Sequence, residues 1–219
     1  MTVVPGTQPL LPESAQHVLR RLTFGYNSRL AAQVLRYRDV DAWLEDQFLV
    51  NPDADANATL DWFPRLGDSP ATAWNMAQSG KYGGWQYGND FAMYSVARRV
   101  AATNQVHEMM VDFWSNLLHI PVGEDSSFPW RLDYDAKAIR PNALTSYKAP
   151  LNAAVVHPAM SGFLTNYRNT AQKINENLGR ELLELYTVGR PDPMATQPHY
   201  SEDDVKNSAR LLTGFTVKV

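Results

Sequence analysis

The stretch Asn175-Glu176-Asn177-Leu178-Gly179-Arg180-Glu181-Leu182-Leu183-Glu184-Leu185-Tyr186-Thr187-Val188-Gly189 constrains the fold more than any other part of this chain. At about 100° per residue, Leu178, Leu182, Leu185 and Tyr186 share one apolar arc, with Leu183 at its edge. Glu176, Arg180 and Glu184 form an i, i+4, i+8 stripe on the polar side, and Glu181 lies further round. Gly189 stands where a C-terminal glycine belongs, and Pro191 prevents continuation. A helix built only for stability would not keep Gly179 in its interior, because glycine there costs about 1 kcal/mol relative to alanine. Close approach of another backbone is the simplest reason for it. Asn175 is either the N-cap or a buried amide that needs partners.

Helix signals dominate the remainder. Ser14 is expected to cap a first helix carrying His17, Val18, Leu19 and Leu22 and ending near Gly25. Ser28 opens a second through Leu30, Val34 and Leu35, and Asp39 caps a third holding Trp43, Leu44 and Phe48. Residues 14–49 are therefore expected as a short helical bundle. Residues 64–90 mix Gly, Pro and Ser with Trp74, Tyr82, Trp85 and Tyr87, and read as a long loop pinned by its aromatics or as an aromatic-lined surface. The main helical core is expected over 90–214. Its longest helical stretch runs from Asp90 to about His119, with a break near Ala102, and Pro121 and Gly123 end it. Residues 124–127 form a loop, Pro141 and Pro150 interrupt the 134–156 segment, and Pro158 starts another. A linker containing Pro191, Pro193 and Pro198 leads to a helix capped by Ser201 with Asp204, ending at Gly214. No multi-strand pattern is present. The expected fold is all-α, an irregular multi-helix domain with long Gly-, Pro- and aromatic-rich loops.

With 219 residues, 44 % of them apolar, the chain can build a core without staples. The net charge of −3, with no Lys/Arg block longer than a pair, argues against a dedicated nucleic-acid binder. The absence of cysteine excludes disulfides, thiolate zinc sites and a Cys nucleophile within this chain, and leaves the compartment open. No run of about 18 apolar residues exists to span a bilayer. Met1 to Pro12 lacks both a basic n-region and a continuous apolar h-region, so no signal peptide is expected in it.

Several constellations invite chemistry. Asp53, Asp55 and Asn57 imitate the start of a calcium loop, but Ala58 and Pro64 stand where the turn glycine and bidentate glutamate should be. His107-Glu108 starts like a zincin helix, but Val111 replaces the second histidine, and His107 reads as a core residue. Glu108, Asp112 and His119 share a polar arc with Ser115, and Asn116 lies at its edge. Together they could bind a divalent cation or move a proton; a solvated helix face is the competing reading. His157 reads as a turn residue before Pro158. There is no nucleophile elbow, Walker A loop or dinucleotide fingerprint.

The 175–189 stretch is similar to the N-E-N-[FY]-A-R-E-L-L-E-L-[HF]-T-[LM]-G signature of a bacterial family known as domain of unknown function 1800. Four further blocks agree in order. His17-Val18-Leu19-Arg20-Arg21-Leu22-Thr23-Phe24-Gly25 resembles H-L-L-R-R-A-T-F-G, and Met109 to Asn116 resembles M-V-x-F-W-H-N-H-F. Pro158-Ala159-Met160 resembles a later block, as does the run from Tyr200 to Val205 with Ala209 to Phe215. The resemblance spans about residues 14–217. It implies an all-helical architecture, no established activity, and relatives that are mostly exported and about twice as long, so that residues 1–219 would be one helical domain from the N-terminal part of a longer fold. Ser115 and Leu117 replace the two histidines of F-W-H-N-H-F.

Two functional readings follow. The favoured one is a helical scaffold or interaction domain of a bacterial envelope-associated or secreted system, with Phe215 to Val219 meeting another chain or a further segment. The alternative is a hydrolase-like or metal-assisted enzyme. In it Glu176, Glu181 or Glu184 acts as base or metal ligand and Arg180 binds an anion. Asn116 and His119 lie across the cleft, and His119, Asp112 and Glu108 offer a metal set. The cofactor of such an enzyme, if it uses one, is left open.

Overall fold

Short capped helices follow one another because the sequence supplies a start signal every ten to twenty residues. A computed structural model of the chain describes residues 11–49, 53–122, 127–190 and 199–217. Among these residues the regular elements are all helical. They are α1 (Glu13–Leu22), α2 (Ser28–Val34), α3 (Val40–Gln47), α4 (Ala54–Ala58), α5 (Pro70–Gln78), α6 (Gly84–Ala101), α7 (Gln105–Leu117), α8 (Arg131–Tyr134), α9 (Lys148–Val155), α10 (Pro158–Phe163), α11 (Asn177–Glu184) and α12 (Glu202–Leu211). A π-helical turn, Asp135–Ile139, continues α8, and a 3-10 turn, Arg140–Asn142, follows it.

Asn27 caps α2 by accepting from the Leu30 amide at 2.9 Å, and Asp39 caps α3 by accepting from Ala42 at 2.8 Å. Ser14 does not cap α1. That helix starts one residue earlier, behind Pro12, whose fixed φ and missing N–H suit the position. The inner faces of these helices share a cluster built on Leu19, Leu30, Val34 and Trp43, to which α7 contributes Val106.

Residues 64–90 are largely helical, not a loop. Ser69 accepts from the Thr72 amide at 3.1 Å and Pro70 sits in the first turn, a combination that starts α5. The Gln86 side chain accepts from Gly83 N at 2.6 Å and starts α6 six residues before Asp90. Trp74 and Tyr87 pin this region to Phe128, with ring centroids 6.4 and 5.7 Å apart. The break near Ala102 falls between α6 and α7 as the pattern predicts. Pro150 lies in the first turn of α9 and interrupts nothing. Gly123, residues 124–126 and the linker prolines lie outside the described residues.

The largest cluster joins Trp114 of α7 and Leu118 just past its end to Tyr134, Ile139, Met160, Leu178, Tyr186 and Leu212. The segment α11 is shorter than its signature, and Leu185, just past its end, is exposed rather than on the apolar arc. Asn175 is a tied amide. Its Nδ2 donates to the Thr165 hydroxyl at 3.1 Å and its Oδ1 accepts from Asn177 N at 3.0 Å. Phe215 O accepts from Asn166 Nδ2 at 3.3 Å, and Val217 packs on the main cluster. The described part of the tail therefore docks within its own chain; Lys218 and Val219 lie outside the described residues.

A Cβ on Gly179 would stand 2.7 Å from Ala209 N and 3.0 Å from its Cα, both backbone atoms of α12. A backbone cannot rotate away as a side chain can. Gly179→Ala is therefore expected to lose up to about 2 kcal/mol in urea unfolding: overpacking against a backbone costs toward the upper end of about 1–3 kcal/mol, less the helix-propensity gain of about 1 kcal/mol. Gly67→Ala, with nothing within 4 Å of the new methyl group, is the neutral control.

Candidate functional site

The corner at 102–104 turns α7 back along α6. Gln105 Nε2 donates to Arg99 O at 2.9 Å and Ala102 O at 2.8 Å, and Asp53 Oδ2 accepts from the Thr103 and Asn104 amides at 2.6 and 2.9 Å. Burial pushes the Asp53 carboxyl up, but these bonds and that from Ala56 outweigh it and hold it below the usual range. Asp55 pairs with Arg29, and Asn57 accepts from Arg98. The three residues that imitate a calcium loop thus face three different partners.

Folded this way, α6 and α7 bring Arg98 and Glu108 together in the interior. Arg98 donates through Nε and Nη2 to Glu108 Oε1 at 3.2 and 3.1 Å, and through Nη1 to Asn57 and the Tyr94 hydroxyl. Arg140 Nη1 donates to the same Glu108 oxygen, and its Nε donates to Asp135 Oδ2 at 3.0 Å. Glu108 is 4 % exposed. Burial alone would push the Arg140 guanidinium down, but Asp135 and Glu108 reverse this and raise it. Arg99 pairs with Asp112 beside them. His107 Nε2 lies 2.9 Å from Arg140 O, and burial pushes its imidazole below the ordinary range.

A cleft of about 300 Å³ opens over this network between α6, α7 and residues 131–140. Glu108, Asp112, Asn116 and His119 all line it, so the structure brings these four together. It does not assemble them into a metal site. Glu108 is held between two arginines, Asp112 by Arg99, and the Asn116 amide by Asp112 O at 2.8 Å. Among the described residues no group of three His, Asp or Glu side chains could hold a metal ion. His119 lies beyond the last residue of α7, exposed at the rim.

The other predicted residues are elsewhere. Arg180 donates to both oxygens of Glu202, at 2.9 and 2.7 Å, and to Glu176 at 3.2 Å, with Glu184 at 3.7 Å. These carboxylates, Glu202 first, raise the guanidinium. Glu184 also accepts from Arg190 Nε at 2.9 Å. Glu181 adds to the effect of burial on the neighbouring Tyr186 hydroxyl, pushed up to about 12. Neither Arg180 nor any of the three glutamates lines the cleft, so the arrangement that would set this stripe across from Asn116 and His119 is not formed.

Sequence reasoning missed Arg98, Arg131, Asp135, Arg140 and Glu202. The available signal was the run Arg131-Leu132-Asp133-Tyr134-Asp135-Ala136-Lys137-Ala138-Ile139-Arg140, which puts charges on a helix that also carries core residues. Glu202 looked like an ordinary first-turn acid.

A family model described as Protein of unknown function (DUF1800) matches residues 17–219, and the chain belongs to that family. No curated protein and no solved structure matches it.

Among the described residues, removing Glu108 takes the only ion-paired carboxylate from buried Arg98 and one of two from Arg140, whereas Arg180 is about a third exposed. Glu108→Ala should therefore cost about 3–5 kcal/mol of unfolding free energy, and Arg180→Ala about 1 kcal/mol or less; equal costs would refute this ranking. His157 caps α10 through Nδ1, which accepts from Ala159 N at 3.2 Å, and burial lowers its pKa although Asp133 opposes the shift. Folding therefore favours the neutral ring. That stability is complete above the unfolded value of about 6.5 and is lost as pH falls below it. His157→Asn keeps a cap without the titration, so its stability should fall less steeply from pH 6.5 to 5 than that of the parent.

Proposed function

We propose that this member of the family is a helical scaffold or interaction domain of a bacterial envelope-associated or secreted system, acting by docking rather than by catalysis. The observation that carries the reading is an apolar row along α6. Trp85 is 65 % exposed, Met93 60 %, Val96 51 % and Val100 74 %. Their i, i+8, i+11, i+15 spacing places them on one face, about 22 Å long at the helical rise. The opposite face carries Tyr87, Phe91 and Tyr94 into the interior. Exposed Asn89 lies on the same face between Trp85 and Met93, so the unbroken apolar part is Met93, Val96 and Val100, about 10 Å long, with Trp85 beyond it; an exposed apolar patch of this kind supports the docking reading. The charged stripe of the family signature also supports the reading, since Arg180 is occupied by carboxylates of its own chain. The envelope or secreted setting rests on the family resemblance.

The partner proposed is another protein chain. A photo-crosslinking residue at Trp85 or Val100, introduced in the native host, should give adducts with another chain; the same residue at exposed Lys173 should not. Equal labelling at all three positions, or no adducts with the purified chain sedimenting as a monomer, would overturn the proposal. So would turnover by the purified chain in a panel of ester, phosphate and glycoside substrates.

A further inference from the structure

Beyond the docking face, we infer that the cleft between α6, α7 and residues 131–140 binds a small molecule through an oxoanion, a carboxylate or a phosphate or sulfate ester, with Arg131 as anchor. Four guanidinium groups meet at this place, from Arg98, Arg99, Arg131 and Arg140, against three carboxylates, from Glu108, Asp112 and Asp135. The pairing is specific. Glu108 serves Arg98 and Arg140, Asp135 serves Arg140, and Asp112 serves Arg99. Among the described residues Arg131 alone of the four forms no ion pair, although Asp135 acts on it at longer range.

Arg131 is 5 % exposed, and its Nε and Nη1 are buried without a hydrogen-bond partner. Native structures rarely leave a buried donor unsatisfied, and a guanidinium in protein does not escape by losing its proton. What holds it is aromatic: its Cζ lies 4.4 Å from the Phe91 ring centroid and 5.5 Å from that of Tyr134. Ring faces attract the cation but accept none of its N–H bonds in the manner of an oxoanion, which takes short, charge-assisted ones. Among the described residues that form this network, one further negative charge would balance it.

The cleft sets the rest of the ligand. Its volume of about 300 Å³ suits a small molecule, at the lower end of ligand pockets. Ala92 and Val96 form an apolar wall, and Ser115, Asn116 and His119 offer polar groups at the rim. The expected occupant is a small amphipathic acid or ester with its anionic head inward.

Acetate, inorganic phosphate and sulfate, each compared with chloride at matched ionic strength, are titrated into the intact chain while its arginine Nε–H resonances are followed by NMR. Saturable movement of the Arg131 resonance, with exposed Arg29 unmoved, is the expected result; acetate and the tetrahedral anions then separate the two ligand classes by affinity. Arg131→Met should weaken binding at least about tenfold, which is 1.4 kcal/mol. If that variant does not fold, the parent titration alone decides. An Arg131 resonance that no anion moves, or that chloride moves equally, overturns the inference.

Discussion

Glu108 is where the molecule is held in register. Its buried carboxylate takes Arg98 from α6 and Arg140 from the segment after α8, while its own backbone belongs to α7. A buried ion pair rarely stabilises a fold more than a well-packed apolar substitute would, because both charges must leave water. Its contribution here is specificity: an α6 or 131–140 segment slipped by a residue would bury its arginine against nothing. The π-helical turn at Asp135–Ile139 belongs to the same device. In a regular helix the side chain facing Asp135 would be four residues on, at Ile139. The extra residue per turn instead puts the i+5 residue opposite, and that is Arg140, bonded to Asp135 at 3.0 Å.

The family signature does its work at the other end of the core. Asn175 and Asn177 tie the start of α11 to the turn around Thr165, Leu178 is fully buried, and Gly179 lets the α12 backbone come close. Asn169 Nδ2 donates to Ala209 O at 2.8 Å and so fixes α12 from below the same contact. Arg180 then closes the outer edge on Glu202. The apolar and amide contacts are buried and the ion cluster is partly wet, so the former dominate the energetics and the latter fixes the pairing of the two helices. The charged stripe of the family signature is therefore an assembly joint.

The parts legible in the sequence share a trait: their cause is local. The caps at Asp39 and Ser201, the helix start at Ser28 and the break at Ala102 depend on residues within one turn, and Gly179 announces a neighbour without saying which. Residues 64–90 read as a loop where Gly and Pro count as loop formers, whereas Pro70 and Gly83 sit at helix starts, where both are tolerated. The cleft was half legible. Glu108, Asp112, Asn116 and His119 follow from helical spacing alone. Arg98, Arg131 and Arg140 become neighbours only through the corner at 102–104 and the π turn, which periodicity does not encode. The metal reading failed for the same reason, since the cations already holding those carboxylates come from other segments.

A fold that agrees with itself nearly everywhere makes its exceptions informative. Among the described residues, every other guanidinium around this cleft has a carboxylate, and the other buried side-chain atoms left without a hydrogen-bond partner, such as Trp43 Nε1 and His157 Nε2, are single nitrogens or oxygens rather than two donors of one cation. Arg131 is the local rule broken without a structural return, since a leucine or methionine there would pack against Phe91 and Tyr134 without the desolvation cost. The apolar row on α6 is a second exception, and the two meet: Val96 belongs both to the exposed row and to the wall of the cleft. Any chain seated over Val96 would stand at the lip through which a ligand reaches Arg131. Docking and ligand binding on this molecule would therefore share one edge, and occupancy of either would change access to the other.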